Sequence, residues 1–272
     1  MLGRDVLLAA GNAGHDVVGY GRAELDVTNP GTLDRKLDLE RPDVVINCAA
    51  WTDVDGAETA EEAAFAVNGS GAGNVAAAAA RVEARILHVS TDYVFDGLKG
   101  APYVESDQPA PLSAYGRTKL AGEEAVAAAN KRHFIVRSAG LFGLGGRNFV
   151  DTMLQLAQTR SEVTVVRDQV GSPTYTWHLA YGIVRLIEGI EFGIHHMAAA
   201  GQCSWYEFAG EIFEQAKVEC RVLSITSEEF GAAAPRPPFS ALVSQRKHAI
   251  RLPSWQDGLA GYLAQRQAEA SE

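Results

Sequence analysis

What most constrains this chain is an alternation: apolar runs of strand length recur between Ala-rich segments with helical spacing, from the first residues to about Gly143. Strands are expected at residues 16–20, 43–48, 85–90 and 133–138. Helices are expected at 4–13, 60–81, 114–130, 149–159, 177–188 and 204–216. Strands separated by helices pair in parallel, with the helices covering both faces, so the fold class is α/β with a doubly wound parallel sheet. In such sheets ligands sit at the carboxyl edge. Thr91 and the run Asn47-Cys48-Ala49-Ala50 fall there.

Beyond Gly143 the alternation loosens around the loop 168–174 and the run Pro235-Arg236-Pro237-Pro238. The chain therefore divides into a dinucleotide-binding core, residues 1–145, with 176–192 packing back on it, and a smaller C-terminal substrate-binding lobe, 146–175 and 193–272. No repeat is present, and the alanine tract 76–80 reads as helix interior.

Charge and cysteine usage exclude several roles. A net charge of −10 without a Lys/Arg run gives no electrostatic footprint for polymeric nucleic acid or an anionic membrane, although a few local arginines suffice for a small anionic substrate. No apolar stretch approaches the roughly 20 residues of a membrane span and no signal peptide is evident, so the expected location is cytoplasmic. Cys48, Cys203 and Cys220 lack metal-ligand spacing and read as small hydrophobes.

The chemistry-bearing residues lie in two segments. Tyr115 and Lys119 are four apart in a helical stretch and so project from one face, where an ammonium lowers the pKa of a neighbouring phenol toward a useful range. Upstream, Ser90-Thr91 ends a buried strand and offers a hydroxyl to the same substrate oxygen. A hydroxyl, a phenol and an ammonium form the set that protonates a carbonyl while hydride arrives from a nicotinamide.

These residues and their surroundings resemble the extended short-chain dehydrogenase/reductases, and within them the dTDP-4-dehydrorhamnose reductase family. The resembling segments are Leu25-Asp26-Val27-Thr28-Asn29, Asn47 to Asp55, Ala66-Val67-Asn68, Ser90 to Gly97, Tyr115-Gly116-Arg117-Thr118-Lys119, Asn148-Phe149 and Asp168 to Thr174. The resemblance implies a Rossmann-like sheet and NAD(P)H-dependent reduction of the C4 keto group of a dTDP-4-dehydro-6-deoxy sugar to give dTDP-L-rhamnose or a related nucleotide deoxysugar. It implies Thr91, Tyr115 and Lys119 as the catalytic set. Gly3, Asp26, Val27, Ala49, Ala50, Thr52 and Asn68, together with Tyr115 and Lys119, would contact the cofactor. Tyr93, Asn148 and Thr174 would contact the nucleotide-sugar substrate. Arg22, with no acidic residue beside it, leans toward NADPH, and NADH stays open as the alternative. Some relatives bind magnesium through acidic residues at a dimer contact; a homodimer is left open, and no residue here is assigned to a metal.

Two departures accompany the resemblance. Family members open with a buried strand and a Gly-x-x-Gly-x-x-Gly loop, of which only Gly3 is found here. The expectation is that Met1 is an internal residue of that loop, that 4–13 is the helix after it, and that the central strand lies in about a dozen preceding residues. A non-catalytic nucleotide-binding or regulatory member, similar to the methionine adenosyltransferase regulatory subunit, is the alternative; retention of Thr91, Tyr115 and Lys119 together speaks against it. The second departure is Gly140, where the family usually carries a tryptophan, and its absence removes an aromatic wall. His195-His196 gives no metal site, because neighbours on a strand face opposite ways. Glu58, Glu61 and Glu62 read as solvated first turns of a helix.

Overall fold

A computed structural model describes residues 1–269. Four strands, β1 (Val44–Asn47), β2 (Arg85–Thr91), β3 (His133–Ser138) and β5 (Gly193–His196), form one parallel sheet in the order β1-β2-β3-β5. A second parallel pair, β4 (Glu162–Val166) with β6 (Arg221–Ile225), forms a separate sheet. The helices used below are α1 (Leu2–Asn12), α2 (Pro30–Glu40), α3 (Ala72–Arg81), α4 (Ala114–Ala129), α5 (Phe149–Ala157), α6 (Thr176–Ile187), α7 (Trp205–Ala216) and α8 (Trp255–Glu269).

Cores lie on both sides of the main sheet, as expected for parallel strands. On one side Leu2, Val6, Ala9 and Ala10 of α1 pack with Leu179, Ile183 and Ile187 of α6 against Leu87, Phe134 and Val136. On the other, Leu33 and Leu37 of α2 join Val75, Ala76 and Ala79 of α3 over Ile86 and Ile135. A separate aromatic core includes Phe142, Tyr175, Phe208, Trp255 and Tyr262.

Three expectations change. Residues 16–20 form no strand: despite the β-propensity of Val17-Val18, no described strand lies beside them, and propensity without a partner makes no ladder. Val44–Asn47 is consequently an edge of the described sheet. Gly193–His196 pairs with β3, so the main sheet takes in residues that the sequence assigns to the lobe. The expected single helix 60–81 is interrupted by a π segment, Ala66–Gly71, between Glu61–Phe65 and α3. That wider turn buries Asn68 completely.

No described helix is long and apolar enough to cross a membrane.

Candidate active site

β2 delivers Thr91 to the carboxyl edge, where its hydroxyl caps a 3-10 turn over Asp92–Val94 by accepting from the Tyr93 N–H at 3.2 Å. α4 starts beside it, capped by Ser113, whose hydroxyl accepts from the Gly116 N–H at 3.1 Å. Gly116 is what lets the two meet: a Cβ there would lie 2.3 Å from the Tyr93 carbonyl oxygen. The close approach stands Tyr115 edge-on to Tyr93, with ring centroids 5.9 Å apart at 80°.

Thr91, Asp92, Tyr93 and Tyr115 share a cavity of about 160 Å³ with the loop Gln169–Pro173 and with Trp205. Burial raises the Tyr115 phenol to about 12; a hydrogen bond with Thr91 pulls it back in part, and Asp92 pushes it further up. The spacing predicts a lysine-lowered phenol, but removal from water sets the direction, and Lys119 is not among the groups acting on it. Lys119 lies one turn further on, 2% exposed, donating to the Val89 carbonyl at 2.7 Å and lying 3.2 Å from His88 Nε2. Burial lowers it to about 8 against the opposing pull of Glu123 and Cys48.

Of the expected cofactor residues, Gly3 sits in the first turn of α1, where a Cβ would lie 3.7 Å from that of Cys48 at the end of β1. Ala49 and Thr52 are exposed just beyond β1, and Ala50 is half-buried. Their methyl-sized or short side chains leave the backbone open to close approach. Asn68 clamps this segment to α4: its amide oxygen accepts from the Trp51 N–H at 2.8 Å and its nitrogen donates to the Trp51 carbonyl at 3.1 Å and to the Thr118 hydroxyl at 3.1 Å. Asp26 is engaged locally, accepting from the Thr28 N–H and hydroxyl, which lowers its carboxyl. Val27 packs near Gly71, and its carbonyl accepts from Asn74. Neither lines the cavity. Arg22 is exposed in a turn.

Tyr93 is the one expected substrate contact that lines the cavity. Asn148 caps α5 instead: its oxygen accepts from the Asp151 N–H, and its nitrogen donates to the Gly143 carbonyl and to Asp151. Thr174 is fully buried, donating to the Ser172 carbonyl and accepting from the Ala199 N–H. Both side chains are committed to holding loops and have little left for a ligand.

Several site residues escaped the sequence reading. Asp92 is buried, accepts from the Thr91 hydroxyl at 3.0 Å and the Ser240 hydroxyl at 2.5 Å, and is raised by burial to about 6. Arg236 pairs with Asp55 at 2.7 Å and acts electrostatically on Tyr93. Trp205, at the start of α7, supplies an aromatic wall where the sequence lacked one. Its ring lies 3.5 Å from where a Gly140 Cβ would stand, and Gly140 itself has φ +54° beside Pro173. The Asp92-Tyr93 dipeptide and the Pro-rich run were visible in sequence, but a capping turn and a 148-residue separation were not.

The remaining constellations resolve locally. His195 and His196 bind different carbonyls, that of Glu191 and those of Tyr103 and Val243. Among the described residues no group of three or more His, Cys, Asp or Glu is placed to hold a metal ion. Glu58 accepts from the Ala114 N–H at the start of α4, and Glu61 pairs with Arg117 at 2.8 Å, so these acids do more than face solvent. Burial raises the Cys48 and Cys203 thiols to about 12, which makes them unreactive.

A parallel α/β sheet with a cavity at its carboxyl edge, lined by Thr91 and Tyr115, is the Rossmann-like fold of the short-chain dehydrogenase type. The model of the RmlD substrate binding domain matches residues 1–268, and the chain belongs to that family. It is 42% identical over 274 residues to the dTDP-4-dehydrorhamnose reductase of Mycobacterium tuberculosis H37Rv, covering 97% of this chain and 89% of the relative. It is 39% identical to the spore coat polysaccharide biosynthesis protein SpsK of Bacillus subtilis 168, covering 97% and 94%. Among solved structures, a dTDP-4-dehydrorhamnose reductase of Bacillus anthracis str. Ames in complex with NADP superposes with a TM-score of 0.95 at 39% identity, covering 97% and 95%.

Proposed function

We propose that this chain reduces the C4 keto group of dTDP-4-dehydrorhamnose to give dTDP-L-rhamnose, with NADPH as reductant. The observation that carries the reading is the Thr91–Tyr115 hydroxyl pair in the wall of the cavity with Lys119 buried behind it. The likeness to relatives of that activity and to an NADP complex supports it.

The residues present fit a nicotinamide dinucleotide. Gly3 and the exposed Ala49 leave backbone accessible where α1 meets the end of β1, and Ala50, Thr52, Tyr115 and Lys119 continue from there toward the cavity. When bound, the nicotinamide supplies hydride to C4. Tyr115, raised to about 12, is fully protonated at neutral pH and gives its phenolic proton to the developing C4 alkoxide. Thr91 steadies that oxygen by hydrogen bonding, and Lys119 compensates the phenolate left behind. Tyr93, edge-on to Tyr115, and Trp205 give the sugar nucleotide apolar faces to pack against.

Tyr115→Phe is expected to lower kcat by about 10²- to 10⁴-fold while leaving NADPH affinity, read by fluorescence titration, unchanged. Undiminished turnover would remove Tyr115 as the proton donor.

A further inference from the structure

Behind the catalytic set lies a hydrogen-bonded chain that the reaction as described does not use. Asn47 and His88 are register partners on β1 and β2, so their side chains share one face of the sheet. His88 is fully buried. Its Nδ1 lies 3.2 Å from Asn47 Nδ2, and its Nε2 lies 3.2 Å from Lys119 Nζ.

The polarity of this chain is fixed from one end. The Ala49 N–H donates to Asn47 Oδ1 at 3.0 Å, so the amide oxygen is committed and only the NH₂ group faces His88. That group has hydrogens alone to offer, and Nδ1 must therefore accept. A neutral imidazole then carries its hydrogen on Nε2, pointing at Lys119. An ammonium has three donors and no acceptor, so donor would face donor; a neutral amine accepts the Nε2–H and still donates to the Val89 carbonyl. Protonating Lys119 requires the opposite tautomer, whose Nδ1–H then confronts Asn47 Nδ2. The amide must turn over, taking its oxygen from the Ala49 N–H.

We propose that His88 is a positioning residue that couples the protonation of Lys119 to the backbone turn at Ala49 through its tautomer and the Asn47 amide. This deepens the reductase reading and rests on it for the roles of Lys119 and Ala49. Its consequence is that whatever engages the Ala49 N–H frees the Asn47 oxygen for the imidazole and favours the ammonium. The other groups acting on Lys119 are Glu123 on its own helix and Cys48 after β1, the latter in turn under the Met1 amino group. Burial and Lys119 together hold His88 well below the ordinary imidazole range, in keeping with a neutral ring.

The test is NMR on the chain labelled with ¹³C,¹⁵N-histidine and lysine, with Lys119→Arg to assign the resonance. Above the Lys119 titration, long-range ¹H–¹⁵N correlation is expected to place the His88 hydrogen on Nε2, and below it on Nδ1, with Lys119 titrating well below the other lysines. In Asn47→Asp the carboxylate accepts from both Ala49 and Nδ1–H, so the tautomer flips and the Lys119 titration moves upward. In Asn47→Asp with His88→Phe most of that upward movement is lost. A wild-type tautomer that does not follow the Lys119 titration would overturn the proposal, as would an equal Lys119 shift with and without the imidazole. Should the Asn47 variants fail to fold by circular dichroism, the wild-type tautomer still decides. None of these readings needs turnover, so failure to reduce the keto sugar would refute the proposed function alone.

Discussion

Glu123→Gln tests how the catalytic segments are held together. Arg137 and Glu123 are 1% and 3% exposed and form a two-pronged pair, with Nη2 to Oε2 at 2.6 Å and Nε to Oε1 at 2.9 Å. The Ser90 hydroxyl donates to the same Oε1 at 2.5 Å, and Arg137 lies over the Phe95 ring. Ser90 precedes Thr91, Glu123 lies one turn beyond Lys119, and Arg137 comes just before the end of β3, so one carboxylate ties together the three elements that carry the site. Neutralising one partner strands a desolvated guanidinium, which costs about 3–5 kcal/mol, whereas replacing both with apolar residues is often close to neutral. At about 2–4 °C per kcal/mol for a chain of this size, the single variant should melt about 6–20 °C lower. Glu123→Leu with Arg137→Met should recover most of that loss. Urea denaturation followed by circular dichroism reads both. A loss below about 1 kcal/mol, typical of an exposed pair, would refute the reasoning, because it would mean that water reaches the guanidinium.

Three further outcomes follow from the geometry. Asp92 is raised from an ordinary 3.8 to about 6, so its contribution to stability is fully present below pH 3.8 and is lost as pH rises through 6. Asp92→Asn should therefore gain on the wild type across that window, by on the order of 2–3 kcal/mol, and parallel melts that stay equidistant would contradict it. Gly116→Ala pushes α4 away from the Thr91 turn at a cost of about 1–3 kcal/mol, and kcat should fall with it; full activity would show that the close approach is dispensable. Asn148→Ala should cost about 0.5–2 kcal/mol as a lost helix cap with KM for the sugar nucleotide unchanged, and a raised KM would return Asn148 to the substrate.

Much of this was legible because it is local. Helical spacing marked α1, α4, α6 and α7, and the Tyr115–Lys119 interval placed two site residues on one helix face, Lys119 buried and Tyr115 half-buried. The Asn29-Pro30 pair, a cap followed by proline in the first turn, also marked α2 in retrospect. What escaped depends on partners distant in sequence. Val17-Val18 has strand propensity but no ladder, and β4 reads as a strand only once β6, more than fifty residues later, lies beside it. The same limit governed the site. Asn148 and Thr174 had suitable chemistry, but loops consumed their hydrogen bonds, while Asp92 became a site residue because Ser240 folds back onto it. The sign of the Tyr115 shift turned on burial, which no interval between residues reveals.

Mixing the purified chain with NADPH and dTDP-4-dehydrorhamnose, while following absorbance and the sugar nucleotide by mass, measures the proposed reduction itself. One NADPH should be consumed for each dTDP-L-rhamnose formed, with the rate about 10²- to 10⁴-fold lower in Tyr115→Phe. A folded chain that binds NADPH but leaves the keto sugar unreduced would contradict it.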